Sequence, residues 1–190
     1  LHFPGELETE FRREHALGSA RNFRSSVFYV LLLYLVLGLG IMTILPRESL
    51  GYWPFGYSLI LLLIVVAMAF SRQRRLDVWH QHYVTALAFS GMAVLVMLPE
   101  FTGSPLMKQA AYIGIVHAAV VIGALLGLRF LPAVVAMWLG GYTGVVLALL
   151  AGRSPEWLIL HQTLTAGCGV ATVVSWLLER RSRQVFLQQS

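Results

Sequence analysis

The chain has 190 residues, 57% of them hydrophobic and only 12% charged, against about 45–50% and about 25% in soluble domains. That balance excludes a globular domain coated in charge, and the single cysteine, Cys168, excludes an internal disulfide. The formal net charge of +5 does not point to nucleic acid, because the basic residues sit in short polar stretches beside apolar blocks, where they govern topology instead.

In chain order, residues 1–25 form a charged, moderately amphipathic leader carrying Leu7, Glu8, Phe11, Arg12, Arg13 and Glu14. Acid and base three and four apart support a helix there, read as lying at a membrane surface or as a plain solvated leader. Six apolar segments follow: Ser26–Leu45, Pro54–Phe70, His80–Leu98, Leu106–Leu128, Leu131–Ala151 and Pro155–Leu178. Each is long enough to cross a hydrocarbon core of about 30 Å, the second only just, with interfacial help from Tyr52, Trp53 and Tyr57. The fold class expected is all-α: a polytopic membrane protein, a six-helix bundle whose short connections make consecutive helices antiparallel neighbours.

Eleven basic residues (Arg12, Arg13, Arg21, Arg24, Arg72, Arg74, Arg75, Arg129, Arg180, Arg181, Arg183) fall on one side of these segments and three (Arg47, Lys108, Arg153) on the other. This asymmetry puts both termini in the cytoplasm. The first apolar block follows a charged leader and lacks a small-residue cleavage site, so a removable signal peptide is not expected. The start at Leu1 and the uncapped polar end read as boundaries cut from a longer protein. Glycines four apart, Gly123 with Gly127 and Gly140 with Gly144, allow close helix approach, either within the bundle or at a dimer seam.

No phosphate-cradling loop, metal-ligand cluster or intramembrane acidic pair is present, so neither catalysis nor proton-coupled transport has its usual residues. The ionisable groups inside the apolar segments are His117 and His161, with His80 and His82 at the start of the third. Such groups are functional candidates by default. With Trp138, Tyr142 and Thr165, His117 and His161 are expected to line a ligand cavity among the fourth to sixth segments. As neutral imidazoles, His117 and His161 are also candidate axial ligands of one haem b. Alternatively, they are satisfied inside the bundle by neighbours such as Gln162, Tyr112 and Thr163.

After the sixth segment the chain runs on without Gly or Pro through Glu179, Arg180, Arg183, Phe186 and Leu187, the pattern of a rigid transmission helix. Here Leu178, Glu179, Arg180, Arg183, Phe186 and Leu187, with Phe11-Arg12-Arg13, Arg21 and Arg24 before the first segment and Leu128-Arg129-Phe130 after the fourth, make the chain similar to a known class. It resembles the six-span sensory anchors of bacterial nucleotidyl cyclases, both GGDEF diguanylate cyclases and class III adenylate cyclases. The resemblance implies a homodimer that passes a ligand or redox signal to a fused cytoplasmic catalytic domain making c-di-GMP or cAMP. It also implies a lipophilic or quinone ligand and, in some relatives, haem b between membrane histidines. The competing expectations are a haem-binding electron carrier and a small transporter.

Overall fold

The computed structural model describes residues 5–102 and 104–189, apart from the side chains of Ser49 and Gln189. Leu1 to Pro4, Gly103 and Ser190, and with them the two chain ends read above, lie outside the described residues. Among the described residues there is no strand, and six helices are long and apolar enough to cross a bilayer.

Helix α1 (Gly5–Ile44) takes in the charged leader and the first apolar segment without a break. At 1.5 Å per residue it is about 60 Å long, twice the crossing distance. It stops before Leu45 because the residue ahead of Pro46 is pushed out of helical conformation. The short α2 (Arg47–Leu50) and a turn through Gly51, whose φ is +50°, lead to α3 (Trp53–Ser71). Pro54 and Pro105 stand at the starts of α3 and α5 (Pro105–Ala124), where a missing N–H costs nothing. Helix α4 (His80–Met97) is framed by short 3-10 turns, Arg74–Trp79 and Leu98–Phe101. The fifth apolar rod is composite: α6 (Phe130–Val134), a π-helical stretch Val135–Leu139, then α7 (Gly140–Leu150). Finally, α8 (Trp157–Gln189) carries the sixth segment and the polar extension as one helix, about 50 Å long.

Antiparallel neighbours account for α1 on α3, α3 on α4 and α4 on α5. The most extensive interfaces, however, are α5 with α8 and α4 with α7, which are parallel pairs of alternate segments and were not expected from loop length. Small residues explain them. A Cβ on Gly123 would lie 2.7 Å from the Ala171 carbonyl oxygen, and one on Gly167 would lie 3.1 Å from the Val116 backbone. On the other pair, a Cβ on Gly144 would meet the Ala93 carbonyl oxygen. Gly140, Gly144 and Gly123 are therefore spent inside the bundle, where only a missing side chain lets the backbones close up. Met92, Met107, Ile115, Met137, Leu160 and Leu164 fill the core between these pairs, while the apolar part of α1 is the least covered of the six.

Candidate functional site

The leader and the extension of α8 leave the bundle at the same end and pack on each other. Phe11 and Phe186 meet edge to face with ring centroids 5.5 Å apart, and the Arg183 guanidinium stacks on Phe11 at 4.5 Å. Spacing of three and four residues puts Glu8, Phe11 and Arg12 of α1 on one face, and Glu179, Arg183 and Phe186 of α8 on the facing one.

Glu8 is the hub. Its carboxylate accepts from Arg183 at 2.7 and 3.2 Å, from Arg12 at 3.0 Å and from Arg129 at 3.2 Å. Arg183 also donates to Glu179 at 2.8 and 3.0 Å, and Glu179 in turn accepts from the backbone amide of Phe130. Arg129 lies 3.7 Å from Glu179. Both Glu8 and Arg183 are buried, so this is a shielded network whose charges cannot be left unpaired cheaply.

Electrostatics follow the geometry. Hydrogen bonding from Arg183, ahead of the opposing cost of burial, holds the Glu8 carboxyl down at about 2. Burial works against ionisation of Glu179, but the Phe130 amide and Arg183 outweigh it and keep that carboxyl below its ordinary range. His15, one turn further along α1, is pushed down to about 4 by burial.

Arg129 is placed by a clamp on the turn after α5. Gln81 donates to the Gly127 carbonyl oxygen and accepts from the Arg129 amide, both at 2.9 Å. His80 hydrogen-bonds the Leu126 carbonyl at 3.1 Å. Gly127, at φ +66°, presses against Ser19 of α1, so a side chain there would be strained and obstructed together. Beside it, Arg24 pairs with Asp77 at 2.7 and 3.0 Å. Sequence reasoning missed Glu8, Arg129, Gln81, His80 and Asp77 as one constellation. The signal for it was slight: polar residues at the cytoplasm-assigned ends of the first, third and fourth apolar segments.

Of the transmission residues, Glu179, Arg183 and Phe186 come together in this contact of α8 with α1, a clasp between the two helices. Arg180 stacks on Trp176 at 5.4 Å, and Leu187 is exposed. The five ligand candidates are not brought together around one cavity. His117 lines a long apolar cavity of about 230 Å³ between α1, α3, α4 and α5, with no lining residue from α6, α7 or α8. His161, Tyr142 and Thr165 are exposed, and Trp138 donates to Thr172 at 3.0 Å on the α8 side. Tyr142 stacks near Trp138 at 6.3 Å. A haem held by His117 and His161 needs both imidazoles on one cavity, and this cavity is bordered by the first of them alone. The residues present do not fit that group.

At the opposite end, Glu100 is buried close to Tyr112, with its Oε1 and the Tyr112 hydroxyl lacking well-formed hydrogen bonds among the described residues. Lys108 and Glu156 pair at 3.1 Å nearby. No protein family, curated protein or solved structure matches the chain.

Proposed function

We propose that the chain is a six-span membrane sensor and transducer, a multi-pass domain of a bacterial inner membrane with both termini in the cytoplasm. The basic residues gather at the end where α1 and α8 overhang, as the positive-inside bias requires of a cytoplasmic end. The observation that carries the reading is the clasp: α8 leaves the apolar bundle as an uninterrupted helix, and Glu8 and Arg129 hold its extension against α1. A change in the packing of α1 or α5 therefore reaches the extension through charged contacts with only a few discrete arrangements. Coupling of about 1–3 kcal/mol would change output about five- to 150-fold.

The responding partner in this reading is a fused cytoplasmic nucleotidyl cyclase acting as a homodimer. Its support is the Leu178-Glu179-Arg180, Arg183, Phe186-Leu187 pattern, whose Glu179, Arg183 and Phe186 are the residues that meet the leader. The extension's job would be to set the rotational phase of whatever follows. The test is helical phasing in the full-length parent. One residue inserted after Arg183 rotates the downstream helix by about 100° and is expected to invert or lock cyclase output, whereas seven residues, close to two turns, restore it. Equal regulation in both insertions would reduce α8 to a passive tether.

A further inference from the structure

A second groove lies beside the clasp, where the apolar bundle meets the charged leader. Arg12 and Ala16 of α1 form one wall, α4 from Gln81 to Phe89 a second, and Arg129 with Leu131, Pro132 and Val135 a third. Its volume, about 580 Å³, falls within the range of about 300–1,000 Å³ usual for small-ligand sites. The lining is sorted by depth. Arg12, Gln81, His82, Thr85 and Arg129 surround the end nearest the leader, while Ala86, Phe89, Leu131 and Val135 line the part that runs into the bundle. Trp79, 60% exposed, packs beside His82 at 5.4 Å, the place of an indole at a membrane interface. A groove with a polar mouth and an apolar floor matches a charged head followed by a hydrocarbon tail.

The groups at the mouth fix the sign of that head. Arg12 spends only its Nε on Glu8, at 3.0 Å; 57% of its side chain is exposed, and its two Nη groups have no acceptor among the described residues. Glu8 already receives Arg183 and Arg129, so its one negative charge cannot balance Arg12 as well. The other positions three and four away on the helix are Thr9, His15 and Ala16, none of them acidic. His82, across the groove on α4, is exposed, and its ring makes no hydrogen bond among the described residues. Gln81 is occupied by the Gly127 carbonyl and the Arg129 amide, and the Thr85 hydroxyl donates to the Gln81 carbonyl, so these two shape the mouth. What is presented to a ligand is an undercompensated guanidinium and an imidazole, and basic clefts between helices at the cytoplasmic level are seats of acidic lipid headgroups.

From these observations we infer that the groove seats the headgroup of an anionic phospholipid. Its phosphate accepts from the Arg12 Nη groups and from His82, and the first part of one acyl chain lies along Ala86, Phe89 and Val135. Arg12 keeps its Nε on Glu8 throughout, so the lipid adds a contact and breaks none. It ties the leader to α4 where the clasp begins, and makes the seating of α1 depend on the acidic lipid content of the membrane. The inference rests on the membrane reading given above, and adds a partner to it.

The test is native mass spectrometry of the whole chain in detergent micelles, titrated with phosphatidylglycerol or with phosphatidylethanolamine. One phosphatidylglycerol should bind saturably and about tenfold more tightly than phosphatidylethanolamine, as one charge-assisted contact allows. Arg12→Gln, which removes the cation, and Ala86→Phe, which fills the groove from an exposed position, should each weaken it about tenfold. Arg21 is the control: it is exposed, and nine steps of about 100° from Arg12 place it on the opposite side of α1. Arg21→Gln should leave the affinity unchanged. Equal loss in Arg21→Gln and Arg12→Gln, an unchanged affinity in Arg12→Gln, or uptake of many phosphatidylglycerol molecules with no preferred first one identifies diffuse attraction to basic residues and overturns the site. Displacement by an equal concentration of glycerol phosphate would make the ligand a soluble phosphate and overturns the lipid. Protein that resists alkaline carbonate extraction from membranes yet shows no preference for phosphatidylglycerol overturns the site alone. Protein released by carbonate overturns the membrane reading, and the site with it.

Discussion

Glu8 concentrates three guanidinium contacts on one buried carboxylate, and its removal shows how much of the terminal end depends on it. Glu8→Gln keeps the shape but leaves Arg183 with Glu179 alone. The expected loss is about 2–3 kcal/mol, just under the usual range for breaking a buried pair because one partner survives. Chemical denaturation in detergent micelles measures it. The pH dependence has a definite sign. Glu8 ionises at about 2 in the fold against an ordinary 4.5, so its contribution is complete above about pH 4.5 and lost as the pH falls toward 2. His15 acts in the same direction: held at about 4 against 6.5, it takes up a proton later in the folded state, and stability falls from pH 6.5 down to 4.

Glu100, at the far end, runs the other way. Burial raises its pKa and Glu156 adds to the rise, while Lys108 offsets part of it. The folded state favours the protonated acid, so this end gains stability as the pH drops toward the ordinary carboxylate range and loses it as the pH rises. Glu100→Gln, a neutral mimic of the acid, should raise the melting temperature at pH 8 and flatten its pH dependence. A lower melting temperature at pH 8 would show that the carboxylate is held ionised.

Among the elements, the glycines separate cleanly by what faces them. Gly144→Ala would drive a Cβ into the Ala93 carbonyl and force α4 and α7 apart, whereas a Cβ on Gly169 meets nothing within 4 Å. The first substitution should destabilise by about 1–3 kcal/mol, as overpacking does, and the second should stabilise by up to about 1 kcal/mol from helix propensity. Thermal melts of both variants give the comparison. The same contrast marks what was readable beforehand. Hydropathy located six apolar segments because a helix long and apolar enough to cross a bilayer declares itself in composition. Which segments pair was not readable, because Gly123 and Gly144 have the same neighbours in sequence whether they face α8, α4 or another chain. The cavity expected among the fourth to sixth segments was beyond the sequence for that reason: it depended on which faces of α5 and α8 pair, and the apolar cavity that His117 lines lies toward α1 instead. Glu8 was passed over in a leader full of charges, since only the fold brings a residue 175 positions away, Arg183, against it.

At the scale of the whole molecule, the leader, the turn after α5 and the extension of α8 form a polar cap over an apolar bundle, and the apolar cavity that His117 lines reaches Phe23 and Leu126 beneath that cap. The account therefore stands on α8 being held to α1 in register. Spin labels at the exposed positions Glu10 and Gln184, with the chain in lipid bilayers, measure this by pulsed dipolar spectroscopy. A single narrow distance distribution at pH 7, broadened by Glu8→Gln, is the expected result. A distribution that is broad in the unaltered protein, or unchanged by the substitution, would contradict it.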